Sequence, residues 1–256
     1  MQDLRVSLVQ THQFWEDKQR NFEHFENILS GLEPTDILIF PEMFHTGFTM
    51  NAKEMSEPMG GEGIQWLTAQ AKKWKTAVVA SLIIEEDDHY FNRMVFIEPT
   101  GQIHTYNKRK LFTLAKEDKH YTKGSENTIV RYKGWNILLQ VCYDLRFPEQ
   151  CRNTVNSLGE PPYDLLIYVA NWPNRRSLHW KTLLQARAIE NQCYVAAVNR
   201  VGRDANELDY SGDSSIIDAL GVFLSTEENS ETLLSCTLNF ADLNDIRVKL
   251  PFLKDQ

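Results

Sequence analysis

The four cysteines of this chain form no Cys-x-x-Cys pair, and its seven histidines form no His-x-x-x-His pair. Neither a disulfide framework nor a structural zinc site is therefore expected, and a metal or cofactor requirement is not indicated. Long hydrophobic runs are also missing. The first, Leu4 to Val9, is too short for the core of a signal peptide or for a membrane span, so a cytoplasmic protein without membrane contact is expected. Basic charge is in deficit: 27 Lys and Arg against 35 Asp and Glu leave a net charge of −8. Nucleic acid is not an expected partner, because nothing neutralises its phosphates, and the cluster Asn107-Lys108-Arg109-Lys110 is too short to change that. No low-complexity linker interrupts the 256 residues, which favours a single domain over 1–256.

What is present is a succession of short apolar runs alternating with amphipathic stretches. Leu4, Val6 and Leu8 alternate with polar residues as in a strand. Phe22, Phe25, Leu29 and Leu32 recur at helical spacing within 16–32, and 36–40 (DILIF) reads as a strand covered on both faces. Ile64, Leu67, Ala71 and Trp74 mark a second helix, followed by strands at 77–84, 90–97 and 102–106. The second half repeats the order: a strand at 135–141, a helix from Pro148 to about Leu158, a strand at 163–169 and a helix at 177–191. Strands at 193–199, 212–218, 222–225 and 231–239 and a short helix then close the chain. Each half reads roughly β-α-β-α-β-β. The expected fold is α/β, a four-layer α-β-β-α sandwich of two face-to-face mixed sheets with helices outside and an internal pseudo-two-fold.

In such sheets chemistry gathers beyond the carboxyl ends of strands. Cys142 ends the strand 135–141 and Glu42 follows the strand 36–40, with Pro41 between. Taken singly, a strand-end cysteine is more often a small core residue, a strand-end glutamate a solvated one, and Lys108 a surface charge. Together they fit one problem. Thiol attack on an amide carbonyl needs a base, a positive group for the oxyanion and an acid for the departing amine. No histidine is placed to serve as that base. A glutamate can, if burial raises its pKa.

These residues stand in three ordered blocks, ILIFPEMF (37–44), YNKRKLF (106–112) and LLQVCYDLRFPE (138–149), followed by ANWP (170–173), LLQARAIENQCYV (183–195) and VNRVG (198–202). On them the sequence resembles the nitrilase superfamily of carbon–nitrogen hydrolases over essentially its whole length. The resemblance implies a Glu-Lys-Cys triad, with Glu42 as general base, Lys108 as oxyanion-stabilising lysine and Cys142 as nucleophile. It also implies a further oxyanion donor in the backbone N–H of Tyr143 and a second acidic residue, Glu117, with Asp118 its rival. One departure is Lys110, where the family often has histidine. EMFHTGF, ANWP and ARAIENQ resemble the ω-amidase branch, which releases ammonia from dicarboxylic monoamides such as 2-oxoglutaramate. That branch implies a small acidic amide as substrate, and Phe44, Asn171, Trp172 and Arg176 are expected to contact it. Family habit implies a homodimer. A nitrilase proper and an N-carbamoyl amino acid hydrolase share the triad, and a binding protein could share the fold. Gly60-Gly61-Glu62-Gly63 lacks the spacing and the preceding strand of a nucleotide-binding loop.

Overall fold

The computed structural model describes residues 2–255. Its apolar runs become thirteen strands: β1 (Leu4–Gln10), β2 (Ile37–Ile39), β3 (Ala77–Glu86), β4 (His89–Ile97), β5 (Ile103–Asn107), β6 (Ile129–Tyr132), β7 (Trp135–Val141), β8 (Leu165–Val169), β9 (Tyr194–Val198), β10 (Val201–Arg203), β11 (Asp209–Ile217), β12 (Phe223–Glu228) and β13 (Thr232–Leu238). The helices are α1 (Lys18–Leu29), α2 (Ala52–Met55), α3 (Glu62–Trp74), α4 (Ser177–Asn191) and α5 (Phe240–Lys249). Asp17 caps α1 by accepting the Arg20 N–H, and α3 and α4 end where Lys75 and Gln192 turn left-handed.

A six-stranded sheet runs β13-β1-β2-β3-β4-β5, and a seven-stranded sheet runs β10-β11-β9-β8-β7-β6 with β12 on β11. In the first, β1, β2 and β3 are parallel and β4 is antiparallel; in the second, β7, β8 and β9 are parallel and β11 is antiparallel. The outer strands β13 and β6 pair antiparallel with β1 and β7 in the same way. Both sheets are mixed, and the second repeats the strand order of the first.

Period-two alternation decides what each sheet faces. Ala77 and Val79 of β3 join Leu8, Ile39 and Phe96 in the core shared with Leu139, Ile167 and Ala196 of the second sheet. The intervening Val78 and Ala80 pack outward with Phe22 and Phe25 of α1 and Ile64 and Leu67 of α3. Each large side chain buried this way contributes roughly 1.5–3 kcal/mol. Trp180, Leu184 and Ala188 of α4 cover the other outer face.

The repeat is incomplete in one place. No helix occupies 148–158: after a 3₁₀ turn at Pro148–Gln150 the chain is irregular. The asparagines explain why. Asn153 spends its side chain on the Tyr163 and Asn191 carbonyls, and Asn156 Oδ1 accepts the N–H groups of Leu158 and Glu160, so local polar bonds replace helical ones. The glycines of 60–63 also have a structural use. A Cβ on Gly61 or Gly63 would lie 2.6 or 2.8 Å from the Glu57 side chain, which bonds the Ile64 N–H at the start of α3. Among the described residues no helix is long and apolar enough to cross a membrane.

Candidate active site

Glu42 leaves the first sheet just after β2. The turn is held tightly: Met43, in the left-handed region at φ 45°, donates its N–H to Ser81 Oγ, and Gln13 Nε2 donates to the Glu42 and Met43 carbonyls. The Glu42 side chain is fully buried, and three donors meet it. Lys108 Nζ (2.9 Å) and Asn92 Nδ2 (2.8 Å) reach Oε1, and the Asn171 backbone N–H (2.8 Å) reaches Oε2.

Lys108 follows β5 directly. Gly124 clamps this loop, its N–H on the Lys108 carbonyl, and a Cβ there would lie 2.1 Å from the Asn107 carbonyl oxygen. The ammonium sits between two carboxylates, Glu42 on one side and both oxygens of Glu117 at 2.9 and 3.0 Å on the other. Burial works against its charge, but Glu117 and then Glu42 outweigh it, so Lys108 is held above the usual lysine range and stays charged. Glu117 is pushed up by burial and by Glu42, with Lys108 opposing. Its neighbour Asp118 is part-exposed and pairs with Lys119 at 3.2 Å, so Glu117 and not Asp118 meets the lysine.

Cys142 comes from the other sheet. It follows β7 at φ 44°, a conformation unusual for a side-chain-bearing residue, and starts a 3₁₀ turn, Cys142–Arg146. Its thiol donates toward the Asn171 carbonyl at 3.9 Å. Burial pushes the thiol well above its ordinary range; the nearby Glu42 charge adds to this and Lys108 counters it. The resting group is a protonated thiol with a carboxylate and an ammonium beside it.

A cavity of about 500 Å³ opens over Lys108 and Cys142. Tyr143, Asn171, Trp172 and Arg176 line it, as do Phe48 and Phe112, which the sequence reading did not single out. Arg176 stacks over Phe112 at 5.4 Å, and Arg146 over Trp172 at 4.6 Å. With Arg175 they put three guanidinium groups on the cavity wall, none within ion-pair distance of a carboxylate among the described residues. Arg176 is held below the usual arginine range by burial and by Arg175.

Phe44 is not part of the wall. It lies among Phe25, Phe40 and Trp66 in the core between the first sheet and its helices. Of the two aromatics in EMFHTGF the later one, Phe48, faces the cavity, with the Lys108 ammonium 5.1 Å above its ring. Lys110 points away as well, toward Glu149 at 3.4 Å and the Phe147 ring at 4.4 Å. Besides these wall residues, Asn92 and Asp144 escape the sequence reading. Asn92 was visible as a lone amide at an inward position of an apolar strand. Asp144 was visible only as a charge two residues after the cysteine.

The carbon-nitrogen hydrolase family pattern matches residues 5–248. Omega-amidase YafV of Escherichia coli K12 is 41% identical over 256 residues, all of this chain and 97% of that protein. The 2-oxoglutaramate amidase of Bacillus subtilis is 33% identical over 86% of this chain and 84% of its own. Among solved structures, XC1258 of Xanthomonas campestris, a CN-hydrolase superfamily protein with an arsenic adduct in its active site, superposes with a TM-score of 0.98. It is 41% identical and covers 100% of this chain and 98% of its own. A match that spans both sheets, including every strand that carries a residue of the buried cluster, assigns this chain to the carbon-nitrogen hydrolase family.

Proposed function

We propose that the protein is an ω-amidase, a thiol amidohydrolase that releases ammonia from the terminal amide of small dicarboxylic monoamides such as 2-oxoglutaramate. The observation that carries this is the buried Glu42–Lys108–Glu117 cluster beside a protonated Cys142 thiol, at the foot of a cavity with Arg146, Arg175 and Arg176 on its wall. The relatives named for ω-amidase and 2-oxoglutaramate amidase activity support the substrate class.

In this reading Glu42 takes the thiol proton as Cys142 Sγ bonds to the amide carbon. The base is needed during the step because burial keeps the thiol from ionising beforehand. The tetrahedral oxygen takes the Lys108 ammonium and the Tyr143 backbone N–H as donors, groups worth about 2.7–4 kcal/mol each in comparable sites. Collapse breaks the carbon–nitrogen bond while Glu42 returns the proton to the nitrogen, and ammonia leaves. Glu42 then deprotonates a water, which attacks the thioester and releases the acid and the thiol. Glu117 keeps Lys108 charged and aimed. No metal or other cofactor is needed, since proton transfer and charge stabilisation come from side chains.

The substrate carboxylate would meet Arg176, with Arg146 and Arg175 nearby, and Asn171 and Trp172 would border the acyl chain. A thiol nucleophile and three other free cysteines favour the reducing cytoplasm. A homodimer is carried over from the family resemblance and is read by light scattering on the purified chain. Released ammonia, measured with 2-oxoglutaramate, succinamate, glutamine and a nitrile, tests the assignment. Preference for the first two is expected; preference for the nitrile overturns it.

A further inference from the structure

Asp144 is fully buried two residues beyond Cys142 and takes no part in the scheme above. Its Oδ2 accepts the Val141 N–H at 3.0 Å and the Tyr106 hydroxyl at 2.8 Å, and its Oδ1 accepts the Lys110 N–H at 2.9 Å. Val141 is the residue before Cys142. Tyr106 and Lys110 flank Lys108, two residues to either side. One carboxylate thus binds both shoulders of the lysine turn, from the first sheet, to the cysteine turn, from the second. Each of the three donors lies within two residues of Lys108 or Cys142.

We propose that Asp144 is a positioning residue, a brace that fixes the Lys108 ammonium against the Cys142 thiol through these three hydrogen bonds. This rests on the reading of Lys108 and Cys142 as the reacting pair. The brace works as a carboxylate, because a protonated acid carries an O–H that confronts one of the three donors instead of accepting from it. Burial raises the Asp144 pKa to about 6, while the Val141 N–H, the Lys108 charge, the Tyr106 hydroxyl and the Lys110 N–H favour the charged form. Two further groups bear on it, Arg109 through Tyr106 and the Cys151 thiol. As pH falls through about 6 the brace loses its acceptor, and kcat is expected to fall with it.

Two variants test this against 2-oxoglutaramate. Asp144→Asn places an amide N–H₂ before donors, and kcat at pH 8 should drop about 100-fold or more while KM stays within roughly threefold. Tyr106→Phe removes one donor to the carboxylate. Its acid limb of kcat should move up by about one pH unit, with kcat at pH 8 reduced less than about fivefold. A Tyr106→Phe limb that coincides with the wild-type limb overturns the proposal, as does Asp144→Asn with kcat within threefold of wild type. If Asp144→Asn does not fold by circular dichroism, the Tyr106→Phe profile decides alone. A wild-type enzyme inactive on every amide would instead overturn the functional assignment and is thereby distinguishable.

Discussion

Replacing Lys108 by alanine should do more than stop catalysis. The ammonium lies 2.9 Å from a Glu42 oxygen and 2.9 and 3.0 Å from the two of Glu117, and all three side chains are buried. At an effective dielectric near 20, opposite charges that close attract by roughly 5–6 kcal/mol, before desolvation is set against it. Truncating one partner of such a group leaves uncompensated buried charge, typically a net loss of about 3–5 kcal/mol. For a chain of this size that is a fall in Tm of roughly 6–20 °C. The loss should depend on pH. Without Lys108 two carboxylates share one dry site, and one of them must hold a proton in the folded state that it releases when unfolded at neutral pH. Its folded pKa lies above its unfolded one, so the penalty grows with pH between the two, is large at pH 8 and shrinks as pH falls toward the ordinary carboxylate range. Thermal melts of wild type and Lys108→Ala at pH 8 and pH 5.5 should show a wide gap closing to a narrow one. Adding Glu117→Gln should restore much of the stability and none of the turnover. Equal melting temperatures at pH 8, or a pH-independent gap, would refute the reasoning. Turnover above about one per cent of wild type would refute the oxyanion role separately.

Cys142→Ala should abolish ammonia release and leave the melting temperature within about 2 °C of wild type, since a small side chain leaves a cavity wall and no buried charge is orphaned; measurable amidase activity would disprove the thioester route. Phe44→Ala should lower stability by about 3–5 kcal/mol in urea unfolding with kcat per folded molecule kept. Phe48→Ala should do the reverse, losing activity at little cost in stability. Lys110→His should leave kcat and KM within about twofold, because that side chain meets Glu149 and Phe147 outside the cavity. Arg176→Ala should raise KM for 2-oxoglutaramate about 10-fold or more while sparing a neutral amide, as expected for one lost charge-assisted contact.

Strands and helices were legible wherever periodicity was unbroken. In β3 the alternation Ala77/Val79 against Val78/Ala80 fixes both faces, and α3 shows its Ile64, Leu67 and Ala71 stripe openly. The failed helix at 148–158 began with a favourable Pro148, but Asn153 and Asn156 competed for backbone groups through tertiary and local bonds that periodicity does not register. Glu42 and Cys142 stood out because each follows a strand, whereas Lys108 was legible only through the resemblance of its block, YNKRKLF, to the family. Phe44 was misplaced because direction after a strand depends on the turn. Met43 enters the left-handed region, and the two-residue alternation that would predict which side Phe44 takes no longer applies. Asp144 could be seen as a charge, but the bonds it makes join segments 34 residues apart and emerge only in three dimensions.

The strand order shows why the acid and the thiol are not symmetry mates although the sheets repeat each other. Glu42 follows β2, the second strand of its parallel trio, whereas Cys142 follows β7, the first of its own. The counterpart of Glu42 in the second sheet is the turn after β8, where Asn171 stands. That residue does not repeat the acid; it holds it, through its backbone N–H on Glu42 Oε2 and its side-chain N–H on the Glu42 carbonyl. Its own carbonyl takes the Cys142 thiol. The pseudo-symmetric position has therefore become the bridge between the Glu42 turn of one sheet and the Cys142 thiol of the other. Asn171→Ala tests this. It keeps the backbone N–H and removes the side-chain bond to the Glu42 carbonyl together with an amide that borders the cavity, so KM reports the lost wall and kcat the lost bond. kcat should fall by about tenfold, the scale of one buried hydrogen bond of roughly 1–1.5 kcal/mol. Unchanged kcat would mean that the backbone contact alone holds Glu42 in place.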